Sequence, residues 1–113
     1  MSKFQAALDT YKAEFEKIGI EVDADLLRAV TKGCGPAIYL KDASKVSSSD
    51  PEELARVKQN FLIKKLGMED GENLDNAIST VIDQFGKSNR NKYRAMFYYL
   101  LVKHLDQENF YAK

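Results

Sequence analysis

The chain has 113 residues, and its 17 basic and 17 acidic side chains cancel to a formal net charge of zero. A length of about 100–150 residues is typical of one domain, and 44% hydrophobic with 30% charged residues is a globular composition, not a disordered one. The absence of a basic excess argues against general binding to nucleic acids or to membrane surfaces.

The first two predicted elements are helices, over about residues 2–18 and 24–32. In the first, apolar side chains recur in steps of three and four and so share one face: Phe4, Leu8, Tyr11, Phe15 and Ile18. The second begins behind Asp23, whose carboxylate can accept hydrogen bonds from the first turn. We expect it to end at Gly33, because glycine readily adopts the left-handed cap conformation and Lys32, just before it, suits the last helical turn.

The middle of the chain contains a bend, a loop and a strongly marked helix start. Residues 33–36 read Gly-Cys-Gly-Pro, and Pro36 can open a short helix because proline fits the first helical position. Residues 41–49 are predicted to be a loop. Asp50, Pro51 and Glu53 then form a near capping box, which predicts a helix that runs to Gly67.

The last two predicted helices cover about residues 72–85 and 89–105. Between Tyr93 and Val102 only Arg94 is charged, so the last helix is apolar on every side. Because ten helical residues span about 15 Å, half of a bilayer core, neighbouring helices must surround it. We therefore predict an all-α, compact single-domain bundle of five to six helices over residues 1–113, with a central apolar C-terminal helix.

Residues 87–104 read K-S-N-R-N-K-Y-R-A-M-F-Y-Y-L-L-V-K-H. This stretch resembles the C-terminal signature of a family of small bacterial proteins that is catalogued as a domain of unknown function. Residues 33–39, 49–54 and 60–67 are similar to the same family, in the same order. The resemblance implies a small helical bacterial protein of about this length, and it implies no activity, cofactor or catalytic residue.

The start of the last predicted helix is the candidate functional site. It places four cations within eight residues, and no Asp or Glu occurs between positions 87 and 105. A helix N-terminus already carries about half a positive charge, so further cations there need compensation. We expect a phosphate or carboxylate ligand, or alternatively ion pairs with acidic residues inside the protein. The candidate anion- or partner-binding residues are Lys87, Ser88, Asn89, Arg90, Lys92 and Arg94.

Other constellations favour structural roles. Cys34 and His104 are the only cysteine and the only histidine, so they could form one thiol–imidazole dyad, but a small cysteine packed at a tight bend is commoner. The same two counts disfavour a zinc site, and we expect no metal, cofactor or catalytic residue. The aromatic residues of the last helix point in several directions, which favours core packing over a base-stacking platform: Tyr93, Phe97, Tyr98 and Tyr99.

The sequence favours a non-enzymatic binding or assembly module, with a homo-oligomer as one form. The alternatives are a nucleic-acid-binding helical domain that uses residues 88–94, and a small enzyme built around Cys34. Lys3, Asp9 and Lys12 interrupt any signal-peptide core, and no stretch reaches the ~20 apolar residues of a membrane span. We expect a cytoplasmic protein without membrane contact.

Overall fold

A computed structural model describes residues 2–40, 43–86 and 88–111. It contains five α-helices: α1 (Lys3–Lys17), α2 (Ala24–Cys34), α3 (Pro51–Arg56), α4 (Glu72–Phe85) and α5 (Arg94–His104). Short 3-10 turns occupy Gly35–Tyr39 and Glu108–Phe110, and a π-helix, Val57–Lys65, continues α3. In these ranges the only β-type pairing is an isolated antiparallel bridge between Lys45 and Tyr93. The predicted all-α bundle is confirmed.

Helix α5 is the centre of the bundle. It packs against α1, α2 and α4, and most of its side chains are buried: Ala95, Met96, Phe97, Tyr99, Leu100, Leu101 and Val102. The hydroxyl of Tyr99 accepts a hydrogen bond from the backbone N–H of Asp23, 2.8 Å away, at the start of α2. The prediction of a central apolar C-terminal helix is therefore confirmed, with its tyrosine hydroxyl satisfied at the edge of the core.

The aromatic side chains of this region pack against other rings of the protein. Tyr98 stacks on Phe61 of the π-helix with a centroid distance of 3.9 Å. Tyr93 contacts Tyr11 of α1 at 5.3 Å, in a tilted arrangement. Since Phe97 and Tyr99 are buried, the four aromatic residues present no shared open face for stacking bases.

Two helix starts follow the predicted capping chemistry. The Asp23 carboxylate accepts hydrogen bonds from the N–H groups of Asp25 and Leu26, at 3.1 and 3.2 Å. The Asp50 carboxylate accepts one from Glu52 N–H at 3.0 Å, and Pro51 is the first residue of α3. Each cap satisfies backbone donors that the first helical turn leaves free.

The predicted end of the second helix is wrong by two residues. Helix α2 continues through Gly33 to Cys34, and the residue with a left-handed backbone is Gly35, at φ +66°. Gly33 has a different role, because a Cβ there would lie 2.8 Å from the Lys65 ammonium nitrogen. That ammonium donates a hydrogen bond to the Gly33 carbonyl at 2.9 Å, so glycine allows its close approach.

The helix predicted after residue 50 changes type halfway. Beyond Arg56 its hydrogen bonds span five residues, as between Leu66 N–H and the Phe61 carbonyl at 2.9 Å. Apolar spacing does not distinguish a π-helix from an α-helix, because both return to the same face after about four residues. The widened turn carries Phe61 to Tyr98 and Lys65 to Gly33.

The last helix begins at Arg94, five residues later than predicted. The backbone before it pairs with the loop that precedes α3: the Lys92 carbonyl accepts from Val46 N–H at 2.8 Å, and Arg94 N–H donates to the Ser44 carbonyl at 2.7 Å. These bonds replace the helical ones that residues 89–93 would otherwise make. No helix within the described ranges is long and apolar enough to cross a membrane.

Candidate functional site

The predicted basic cluster lies mostly on the segment that precedes α5, and not on the helix itself. Among the described candidates only Arg94 belongs to the first helical turn, so the helix-dipole argument does not apply to the other described ones. Lys87 lies outside the described residues. The remaining candidates separate into three groups with different surroundings, and charge alone does not indicate which group a residue joins.

Asn89, Asn91 and Lys92 hold this segment in place. The Asn89 amide donates to the Phe85 carbonyl at the end of α4, at 3.2 Å, and its oxygen accepts from Asn91 N–H at 2.8 Å. The Asn91 amide donates to the Glu14 carboxylate at 3.2 Å. Lys92 is buried, its ammonium donates to the Asn89 carbonyl, and burial lowers the pKa of Lys92. These side chains contact the interior of the protein.

Arg94 is engaged in an internal network. Its guanidinium donates to the Ala43 carbonyl at 2.6 Å, to the Tyr98 hydroxyl at 3.0 Å and to the Glu53 carboxylate at 2.6 Å. Glu53 also accepts from Arg56 at 2.9 Å. The capping-box role expected for Glu53 is therefore replaced by a bridge between two arginines. Burial alone would raise the pKa of Glu53, but hydrogen bonds from Arg94 and Arg56 hold that pKa below its usual range.

Arg90 and Ser88 have a different environment. Both are exposed, and both line a polar surface cavity of about 420 Å³ whose other wall consists of Ser47, Ser48 and Ser49. We call it the serine cavity. Within the described ranges Arg90 makes no hydrogen bond and no ion pair. The backbone pairing of Val46 with Lys92 brings the two walls together.

The sequence of residues 47–49 predicts only a loop. Three consecutive serines before a helix cap are an ordinary loop composition, and nothing in their spacing predicts that they lie near Arg90. The one available signal was the run of three hydroxyl groups itself. Only the tertiary pairing of the two segments makes these hydroxyl groups neighbours of a guanidinium.

A second cleft, of about 350 Å³, lies beside Cys34, and we call it the Cys34 cleft. Its charged lining residues are Lys65 and Arg94, and Phe61 and Tyr98 supply aromatic surface. Burial raises the pKa of Cys34 to about 11, although Lys65 and Arg94 act in the opposite direction. The thiol is consequently protonated at neutral pH, whereas a nucleophilic cysteine requires the thiolate.

His104 does not accompany Cys34. The Cys34 cleft uses Arg94 and Tyr98, in the first turns of α5. His104 is the last residue of that helix and is exposed. It lies about 9 Å further along the helix axis than Tyr98, at 1.5 Å per residue. The arrangement therefore provides no imidazole at the thiol, which the dyad alternative needs.

These features define a class of protein: a small all-helical bundle with a polar surface cavity and a separate cationic cleft. A model of the family described as "Protein of unknown function (DUF2853)" matches residues 10–109, and the chain belongs to this family. None of the curated proteins matches the chain. The matched range includes both walls of the serine cavity and the whole lining of the Cys34 cleft.

Proposed function

We propose that the protein is a non-enzymatic binding module that holds an anionic group of its partner in the serine cavity. One observation carries the proposal. Arg90 has no acidic partner in the described part of the chain, and it lines a cavity that is rich in hydroxyl groups. Among the described residues, no carboxylate contributes to that lining.

The chemistry of the lining suits a compact oxyanion. A guanidinium presents up to five N–H donors in a planar fork, which matches two oxygens of a phosphate or a carboxylate. Serine hydroxyls can donate to the remaining oxygens because they rotate to suit the acceptor. Hydrogen bonds with a charged partner are roughly twice as strong as neutral ones. The site therefore favours one phosphate or carboxylate group over an uncharged ligand.

The same reasoning disfavours a nucleic-acid track. Affinity for DNA depends on several simultaneous phosphate contacts, each of which contributes about 0.9 to the salt slope. Here Asn89, Asn91, Lys92 and Arg94 face internal partners. Within the ranges that the structure describes, this leaves Arg90 as the cation that lines the serine cavity. The resemblance to small bacterial proteins and the single cysteine support a reduced cytoplasmic setting for this binding module.

Replacement of Arg90 by alanine tests the proposal. The probes are inorganic phosphate and a short oligoglutamate peptide, followed through backbone amide shifts in ¹H–¹⁵N spectra. We expect saturable shifts at Ser48, Ser49 and Ser88 with at least one probe. Arg90→Ala should weaken that binding about tenfold or more, because a hydrogen bond to a charged group contributes roughly 1.5–3 kcal/mol.

Arg28→Ala is the matched control, since it removes the same charge from an exposed position on α2, where the guanidinium lies over the Phe4 ring. The Arg28→Ala variant should bind the probe with the same affinity as the wild type. Equal weakening by both substitutions would reduce the effect to net charge and contradict the proposal. The proposal would also be contradicted if neither probe shifted the serine amide signals of the wild-type protein.

A further inference from the structure

Among the residues that the structure describes, two cations and one aromatic stack line the Cys34 cleft, and none of its lining residues also lines the serine cavity. We propose that this cleft is a second binding site, which takes a small aromatic carboxylate. This second site is independent of the proposed function, because different side chains line the two cavities.

The cations of the cleft have unused donors. Lys65 donates one hydrogen bond, to the Gly33 carbonyl, and an ammonium carries three N–H groups. In the described part of the chain no carboxylate pairs with Lys65. Arg94 uses three of its five N–H groups, on Ala43, Tyr98 and Glu53. Arg94 shares the Glu53 carboxylate with Arg56, so among the described lining residues Lys65 is the cation without a carboxylate partner, which suits a monoanion.

The apolar part of the lining selects the body of the ligand. The rings of Phe61 and Tyr98 are stacked at 3.9 Å, with an angle of 10° between their planes. Phe61 is 2% exposed, so the partly exposed ring of Tyr98 is the aromatic surface on which a ligand ring can pack edge to face. The volume of about 350 Å³ lies at the lower end of the ~300–1,000 Å³ typical of ligand sites. An aromatic ring that carries one carboxylate satisfies charge, shape and size together.

The backbone that supplies two of the lining residues has an uncommon form. Phe61 and Lys65 both lie on the π-helix, and π-helical turns are often found at functional sites. This backbone form fits a wall shaped for binding.

Titration with benzoate tests the proposal, with benzamide as the uncharged analogue and inorganic phosphate as the non-aromatic anion. We expect benzoate to shift the amide signals of Cys34, Asn60 and Lys65 saturably, and the other two probes to leave these signals in place. Lys65→Met should weaken benzoate binding about tenfold or more, because it removes the unpaired cation.

Lys64→Met is the matched control, because Lys64 is the neighbouring exposed residue and does not line the cleft. It should bind benzoate as the wild type does. Asn60→Asp provides a second variant at an exposed lining position, where an added carboxylate should weaken benzoate binding even if Lys65→Met fails to fold. Three results would each overturn the proposal. The first is an equal loss of benzoate affinity in both lysine variants, and the second is phosphate-induced shifts at the cleft as large as those of benzoate. The third is an Asn60→Asp variant that binds benzoate as tightly as the wild type.

Discussion

Arg94→Ala should destabilise the fold by about 2–4 kcal/mol, because it breaks a half-buried ion pair and two further hydrogen bonds. The guanidinium is 17% exposed and its partner Glu53 is 13% exposed. It connects α5 to α3 through Glu53 and to the preceding loop through the Ala43 carbonyl. The loss is measured as the change in the free energy of unfolding in urea, monitored by circular dichroism.

Arg56→Ala is the control for this effect. Arg56 forms an ion pair with the same carboxylate at 2.9 Å, but its side chain is 56% exposed. Exposed ion pairs contribute about 0–1 kcal/mol, so this variant should retain most of the stability of the wild type. If the two arginine variants lost the same amount, the distinction between an internal and a surface pair would be wrong.

Phe97→Ala should lower the free energy of unfolding by about 3–5 kcal/mol, because it removes a fully buried ring from the core. Phe97 is 0% exposed in the first turn of α5, and its ring lies 6.0 Å from that of Phe85 on α4. Its removal leaves a cavity among helices that pack on α5 from several sides. Urea unfolding measures the change, and thermal unfolding should show a correspondingly lower midpoint.

The control for the core effect is Phe110→Ala. Phe110 is 39% exposed and lies in the final 3-10 turn, so its loss should change the unfolding free energy by about 1 kcal/mol or less. A small effect at Phe97, comparable with that at Phe110, would contradict the burial of α5.

Local signals in the sequence predicted most of the fold. The carboxylates of Asp23 and Asp50 mark real helix starts, since an N-cap acts within its own turn. The long apolar run of the last helix predicts its central position because no exposed helix carries such a run. Structural features that depend on contacts between residues far apart in the sequence could not be predicted from local signals. The start of α5 depends on pairing with residues 44–46, and no local pattern encodes that pairing.

The candidate site shows the same difference between local signals, which the sequence reveals, and distant contacts, which it does not. Arg90 and Arg94 are equivalent in the sequence: both are cations in one cluster that lacks acidic residues. Glu53, 41 positions from Arg94, makes the difference, because it engages Arg94 and leaves Arg90 exposed. The serine wall of the cavity and the π-helix at the Cys34 cleft were missed for the same reason, since both depend on tertiary neighbours.

Native-state hydrogen exchange, followed by NMR, tests the central claim most directly: α5 is enclosed by the other helices, and the segment with Arg90 in front of it is open to solvent. The account predicts that the amides of residues 98–102 exchange only through global unfolding, and that those of Ser88 and Arg90 exchange orders of magnitude faster. Equal protection in the two regions, or fast exchange within α5, would contradict it.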